Sequence, residues 1–589
     1  MTRSRLVGAG LLVALVGASL AWVGWRVARA PTGPAPAALV STEQPRPWST
    51  GYLIVPERAE PTPISRLERR LGKFTKTVER ARAGEDPPLR AFGAEELTAE
   101  IEQAIARVSD RAEVSVHVRD LETQRILFDF HGDTPLNPAS NNKLLVGSAA
   151  LDLLGSDYVF ETRVILIGDA LYLVGAGDPT LDGEGLRGLA DQIAERVAIG
   201  SVAKIVVDES AFTTQTFGPG YRPEQTDEAY MAPSGAMSLA FNSVEITLYP
   251  IGKRKTAVTV EPPSTNLIID NQARVGPGRL KVRSLAEPIG RTTLAIEGAI
   301  PNNRRGLTVR RRIHDPGRFS GGALAIALAD ATQSEPLPVE IGVLPPLDSS
   351  AEAEPGDDIE RDGEASLPRM IGRNGEGVDV ELVALRRSPA LIDVVSGMLT
   401  WSNNFTAEQL LRTLAWQMTD QPGDWDQGRE IVRAYWQALG QDPEDLVYEN
   451  GSGLSSIGRV TTRGLVDLLA TAHRTQPRGS SLIDALPIAG TEGTLSGRLR
   501  RSGKRVRAKT GTMAGVSGLT GVITSDAGEP KVAFSIIINV RDTATMFAES
   551  RRAIEDQIVM AVLEHIDNWV AVSGPIVDLE PLEVSAAPG

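Results

Sequence analysis

A serine and a lysine three residues apart, Ser140 and Lys143, lie about 260 residues ahead of Ser402-Asn403-Asn404, and Lys509-Thr510-Gly511 comes later still. If the three groups serve one site, the fold must join both ends of a 589-residue chain and hold the middle as an insertion. A separation of that size leaves room for one or two inserted domains. Few architectures meet this demand, so it constrains the fold more than any local propensity does.

Each of the three groups has a chemical reason to be there. On a helix, residues i and i+3 share a face, so the Lys143 amine can reach the Ser140 hydroxyl. Pro138 suits a first helical turn, which puts Ser140 near the positive end of the helix dipole, where an oxyanion is stabilised. A serine is a weak nucleophile without an adjacent base. A lysine becomes that base only when burial or a second cation makes it neutral near pH 7. Lys509 is the candidate cation. Ser402 can relay a proton between the lysines, and Asn404 can orient a substrate amide. Thr510 offers a hydroxyl to a substrate carboxylate, and Gly511 leaves room for substrate along a strand edge. The backbone N–H groups of Ser140 and Thr512 would form the oxyanion hole.

The separate signals differ in strength. Ser-x-Asn also occurs at Ser140-Asn141-Asn142 and at Ser264-Thr265-Asn266, and Ser-x-x-Lys recurs at Ser201 to Lys204. The Ser201 copy runs into Ile205-Val206-Val207, a strand pattern that would not place its serine and lysine on one face; it reads as a surface turn. Lys-Thr-Gly occurs once, beside β-like sequence. The ordered triple is what carries weight. In isolation, Ser140 would read as an ordinary helix cap and Lys143 as a solvated lysine.

Composition removes other chemistries. The net charge of -14 argues against a nucleic-acid partner, which asks for a basic footprint. No cysteine is present, so disulfides, thiolate nucleophiles and cysteine-ligated metals are excluded. Five scattered histidines form no HExxH pair, and no Gly-x-Ser-x-Gly elbow points to a His-dependent serine triad.

The N-terminal segment, residues 1–30, carries Arg3 and Arg5, an almost uncharged run from Leu6 to Trp25, then Arg26 and Arg29. About 20 apolar residues can span a bilayer, whereas cleaved signals usually have shorter cores. The run therefore reads as a membrane anchor in preference to a cleaved signal peptide, and either one exports the body. Residues 31–91 form a Pro-rich linker followed by a basic helix. The Ile64–Arg82 part of it could lie on a membrane, cap the catalytic domain or stand in solvent. Residues 92–156 and 390–573 read as the two parts of a catalytic domain. Between them, 157–389 carries many short β-like runs and an acidic stretch within 347–368, which reads as a disordered surface loop. Residues 574–589 read as a tail.

The order Ser-x-x-Lys, Ser-x-Asn, Lys-Thr-Gly is that of the penicillin-recognising serine enzymes. The finer resemblance is to the class C low-molecular-mass penicillin-binding proteins, the D-alanyl-D-alanine carboxypeptidase/endopeptidase family. Six stretches carry it: Pro138 to Lys143, Gly177-Asp178-Pro179-Thr180-Leu181, Ser402 to Phe405, Gly451-Ser452-Gly453-Leu454-Ser455, Gly490 to Leu495, and Arg507 to Thr512. They span the chain from about Ala94 to His565. Three positions depart from the family's common pattern. Asn450 and Glu492 stand where Asp is usual, and Asn403 stands in the variable middle of Ser-x-Asn.

The resemblance implies an α/β, multi-domain chain with a β-lactamase/transpeptidase-like domain. That domain has about five antiparallel strands flanked by helices, with mostly β domains inserted. The hairpin Glu113 to Phe130 would pair with strands between Arg505 and Val540. The implied reaction is acyl transfer from a D-Ala-D-Ala bond of peptidoglycan stem peptides, or from a D-amino-acid crosslink, to Ser140, followed by hydrolysis; the resemblance does not separate carboxypeptidase from endopeptidase. β-Lactams would acylate the same serine, and no metal or organic cofactor is needed. Rival readings are a β-lactamase or esterase on the same scaffold, and a non-catalytic wall-binding protein.

Overall fold

The structure, a computed structural model, describes residues 63–83, 95–302, 306–346, 371–373, 378–542 and 548–572. The Leu6–Trp25 run, the acidic stretch and the C-terminal tail lie outside these residues. Among the described residues no helix is long and apolar enough to cross a membrane.

A five-stranded sheet joins the two ends of the chain. Its strands are β1 (Ala112–Asp120), β2 (Ile126–Phe130), β3 (Val506–Met513), β4 (Val516–Thr524) and β5 (Pro530–Val540). Their spatial order is β3-β4-β5-β1-β2, and every pair is antiparallel. The hairpin pairs with the C-terminal strands as expected, in a register from Ala112↔Val540 to Asp120↔Val532.

Helices cover both faces, which explains why the strands read as apolar runs. On one face α2 (Glu95–Ala106) and α8 (Ala548–Val572) pack Leu97, Ile101, Ile554 and Ile558 against Val114, Val116, Ile536 and Ile538. Ile537 points the other way, as strand alternation requires. It joins the core built by α3 (Lys143–Leu154), α4 (Leu391–Trp401), α5 (Asn404–Thr419), α6 (Trp425–Ala438) and α7 (Thr462–Thr475).

The basic helix α1 (Pro63–Arg82) settles the three readings left open for it. It caps the catalytic domain. Phe74 stacks on Tyr435 with ring centroids 4.7 Å apart, Val78 is buried, and Leu67 and Leu71 pack on the same core. Arg66 donates to Asp420 and to the Gln417 carbonyl.

The inserted segment contains two helices that a strand-like pattern did not announce, Gly183–Arg196 and Pro316–Thr332. Their apolar faces share a core with strands Glu161–Ile167, Ala170–Val174 and Lys204–Asp208. Asp182 and Asp315 cap them by accepting from Gly185 and Arg318 N–H. Val339–Gly342 pairs parallel with Lys204–Asp208 in the sheet of those strands, and the strands between Ser243 and Arg312 form a three-stranded sheet and a five-stranded sheet. Ile371–Arg373 pairs antiparallel with Asp379–Glu381.

The insertion is fastened to the catalytic domain through buried Arg412 on α5. Its guanidinium lies between the Phe212 and Trp425 rings, 4.4 and 4.3 Å from their centroids. It donates to the carbonyls of Thr213, Ser234 and Gly423. Asp178 of the Gly-Asp-Pro-Thr-Leu stretch is also structural. It is buried, ion-paired with Arg386, and accepts from Thr180 N–H and Oγ1.

Removing the Phe74 ring should be costly, because it is a buried aromatic in a shared core. Phe74→Ala is expected to lower unfolding free energy by about 3 kcal/mol, read by denaturant titration. A change below about 0.5 kcal/mol would mean that α1 contributes little to the core.

Candidate active site

Ser140 lies on a 3-10 turn, Ala139–Asn142, that leads into α3 at Lys143. In a 3-10 turn residues i and i+3 eclipse, which aligns the serine with the lysine more closely than an α-helix would. Ala139 has φ +46, so the turn is sharp. Asn137 fixes it from three sides. Its Oδ1 accepts from Ala139 N–H, its N–H donates to Asn539 on β5, and its Nδ2 donates to the Ser455 carbonyl.

The Lys143 amine is fully buried. It lies 3.0 Å from Ser140 Oγ, 2.9 Å from Asn404 Oδ1 and 2.7 Å from the Ser452 carbonyl. Asn404 Oδ1 and the Ser452 carbonyl can only accept. A neutral amine has two N–H donors and one lone pair. With both donors directed there, its lone pair faces the Ser140 hydroxyl. Burial pushes the Lys143 pKa down to about 7, opposed by the charge of Glu408.

Lys509 lies on the edge strand β3, where it donates to Ser402 Oγ at 2.9 Å and to the Thr510 carbonyl at 2.6 Å. Its pKa is also well below that of a free lysine, mainly through burial and then through the Lys143 charge. Burial, not the second cation, is therefore the principal reason Lys143 loses its proton easily.

The Ser-x-Asn stretch is a helix junction. Ser402 ends α4 in the left-handed region, and Asn403 caps α5 by accepting from Thr406 N–H. Asn404 is the first residue of α5, so its side chain is free to reach Lys143. An aspartate in the middle position would cap equally well, which is why Asn403 is a silent departure.

Thr510 Oγ1 donates to Thr494 Oγ1 at 2.8 Å, and so the Gly490–Leu495 stretch braces the strand. A Cβ on Gly511 would lie 2.5 Å from the Pro138 carbonyl, so glycine there lets β3 approach the nucleophile turn. Thr512 is exposed, and its hydroxyl accepts from Arg552 at 3.4 Å. The look-alike motifs serve other ends. Ser201 closes a short turn while Lys204 pairs with Glu340, and Ser264 donates to the Phe319 carbonyl.

A model of the D-Ala-D-Ala carboxypeptidase 3 (S13) family matches residues 97–341 and 330–562, which together span all of these groups. The chain belongs to this family. It is 29% identical over 473 residues to a D-alanyl-D-alanine carboxypeptidase of Actinomadura sp. (strain R39), covering 76% of this chain and 81% of that protein. In fold it is similar to penicillin-binding protein 4 (dacB) from Haemophilus influenzae, with TM-score 0.59 and 21% identity over 80% of this chain and 99% of that one. The same protein in complex with a β-lactam matches with TM-score 0.56 and 20% identity, over 80% of this chain and 99% of that one.

Within this S13 enzyme, sequence reasoning missed the supports of the site. Asn450, where the family commonly has Asp, accepts from Gly453 N–H and donates to the Pro219 carbonyl of the insertion. A carboxylate could not make the second bond. Glu408 and Tyr221 were also missed, because nothing in their spacing marks them. Among the described residues, no group of three or more His, Asp or Glu side chains could hold a metal ion.

Two outcomes follow from this geometry. The second-order rate of acylation should rise tenfold per pH unit below about 7 and level off above it, as Lys143 loses its proton. A flat profile between pH 5 and 8 would contradict a lysine base. Gly453 has φ +78 and abuts the Ala139 carbonyl. Gly453→Ala should therefore slow acylation by about 10-fold or more, with about 1–3 kcal/mol of strain on the turn.

Proposed function

We propose that the chain is a serine-type D-alanyl-D-alanine carboxypeptidase that also acts as a D,D-endopeptidase on peptidoglycan crosslinks. The observation that carries this is the buried Lys143 Nζ 3.0 Å from Ser140 Oγ, with the acceptors Asn404 Oδ1 and the Ser452 carbonyl on its other sides. Ser140 Oγ attacks the carbonyl of the penultimate D-Ala while its proton passes to Lys143 Nζ. The N–H groups of Ser140 and Thr512 receive the developing oxyanion. The proton then reaches the leaving amine through Ser402, held in place by Lys509, and the C–N bond breaks. Water enters, gives up a proton by the reverse route and releases the shortened stem peptide.

Thr510 and Thr512 receive the substrate's terminal carboxylate. The Thr510 hydroxyl has only to rotate away from Thr494 to donate to it. A β-lactam presents the same carbonyl but keeps its leaving amine tethered, so its adduct persists. Likeness to the R39 carboxypeptidase supports the substrate class, and the basic-flanked apolar run Leu6–Trp25 supports export to the cell envelope with attachment to the inner membrane.

The test compares wild type with Ser140→Ala, using a fluorescent penicillin and purified muropeptides. Ser140→Ala is expected to remain folded, to take no label and to lose D-Ala release by about 10³-fold or more. Label and release that both survive the substitution would overturn the assignment. Rapid release of hydrolysed penicillin by wild type would favour a β-lactamase instead.

A further inference from the structure

One buried carboxylate behind the lysine is not accounted for by the reaction above. Glu408, on the second turn of α5, accepts four hydrogen bonds. Gly451 and Ser452 donate their backbone N–H groups at 3.1 and 2.9 Å, Trp425 its indole N–H at 2.8 Å, and Tyr221 its hydroxyl at 3.1 Å. Gly451 and Ser452 form the turn whose Ser452 carbonyl accepts from Lys143 Nζ. Tyr221 comes from the insertion, and its oxygen is also 3.1 Å from Ser452 Oγ. A continuous chain of contacts thus runs from the insertion through Glu408 and the Ser452 peptide to Lys143 and Ser140.

We infer that Glu408 is a positioning residue that sets both the orientation and the basicity of Lys143, and that Tyr221 of the insertion tempers its influence. This rests on the reading of Lys143 as the base. By gripping two successive N–H groups, the carboxylate aims the Ser452 carbonyl at the amine and so decides where the remaining lone pair points. Its negative charge also stabilises the ammonium form, opposing burial. The charged and titratable groups around Lys143 are few. Glu408 lies on α5, and the buried Arg412 one turn further along also feels its charge. Lys509 lies on β3 and Tyr221 in the insertion, while Tyr448, on the loop before Gly451, feels the Glu408 charge. Burial and the Glu408 charge hold the Tyr221 hydroxyl in its protonated form, so it acts as a donor. A donor bonded to a carboxylate reduces the potential which that carboxylate projects elsewhere. Tyr221 therefore ties the base to the seating of the insertion.

The test is the pH profile of penicillin acylation for wild type, Glu408→Gln and Tyr221→Phe, each checked for a cooperative thermal transition. Removing the charge should let Lys143 lose its proton more readily, so the acid limb of Glu408→Gln moves to lower pH by about one unit. Removing the tyrosine donor leaves a less compensated carboxylate, so the limb of Tyr221→Phe moves slightly to higher pH. The second variant loses a single oxygen atom and keeps the inference testable if Glu408→Gln does not fold. Slower acylation with unmoved limbs in the folded variants would overturn the inference and leave Glu408 a purely structural residue. A wild type that takes no acyl group would instead overturn the assignment of Ser140 and Lys143.

Discussion

The pairing of β1 with β5 is the constraint on which everything else depends. Nine residue pairs, Ala112↔Val540 to Asp120↔Val532, join segments about 400 residues apart. Closing so long a loop costs about 5 kcal/mol in chain entropy. Val114, Val116, Val118, Ile536, Ile537 and Ile538 are all buried, and each contributes about 1.5–3 kcal/mol. The apolar core of the seam therefore outweighs the closure cost. Once the seam exists, β4 and β3 follow by antiparallel pairing, and Asn539 of β5 grips the nucleophile turn through Asn137. Position of the reactive atoms is inherited from the sheet.

Burial then supplies the chemistry. Two lysines with no solvent exposure sit in one site, and water cannot stabilise two ammonium charges there. The structure answers by making proton loss easy at both, while Glu408 restrains the effect at Lys143. The insertion takes part in this. Arg412 fixes it to α5, the helix that carries Asn404 and Glu408, and the Asn404 amide donates to the Tyr230 carbonyl at the rim of the site. A segment that looks in the sequence like an appendage thus contacts the helix that carries the Asn404 partner of Lys143.

Much of this was legible in the sequence, for reasons that differ by element. The sheet strands showed themselves as apolar runs because both of their faces are covered, and the expected hairpin ends at Phe130, where strand β2 ends. Strand β3 extends to Met513, beyond the apolar part, because Lys509 and Thr510 are buried polar residues that no hydropathy pattern assigns to a strand. Ser140, Lys143, Ser402 and Lys509, which the structure brings together, were singled out through chemistry and order. Their supports were not. Glu408 lies among Leu and Ala on a helix and looks like an ordinary exposed acid, and Tyr221 lies in a Pro/Gly loop whose destination depends on tertiary packing. Lys509 was expected to depress Lys143, but exclusion of water has the larger effect, and burial of a lysine cannot be read from a one-dimensional pattern. The two helices of the insertion were hidden by small residues. Pro316–Thr332 is rich in Gly and Ala on several faces and carries no clear amphipathic stripe.

The central claim is that the two ends of the chain assemble one site around Ser140. It is tested most directly by locating the acylated residue. Wild-type protein labelled to completion with penicillin and digested for peptide mass spectrometry should carry one adduct, on the peptide containing Ser140. An adduct on Ser402 or Ser201, or a label spread over several serines, would contradict the account.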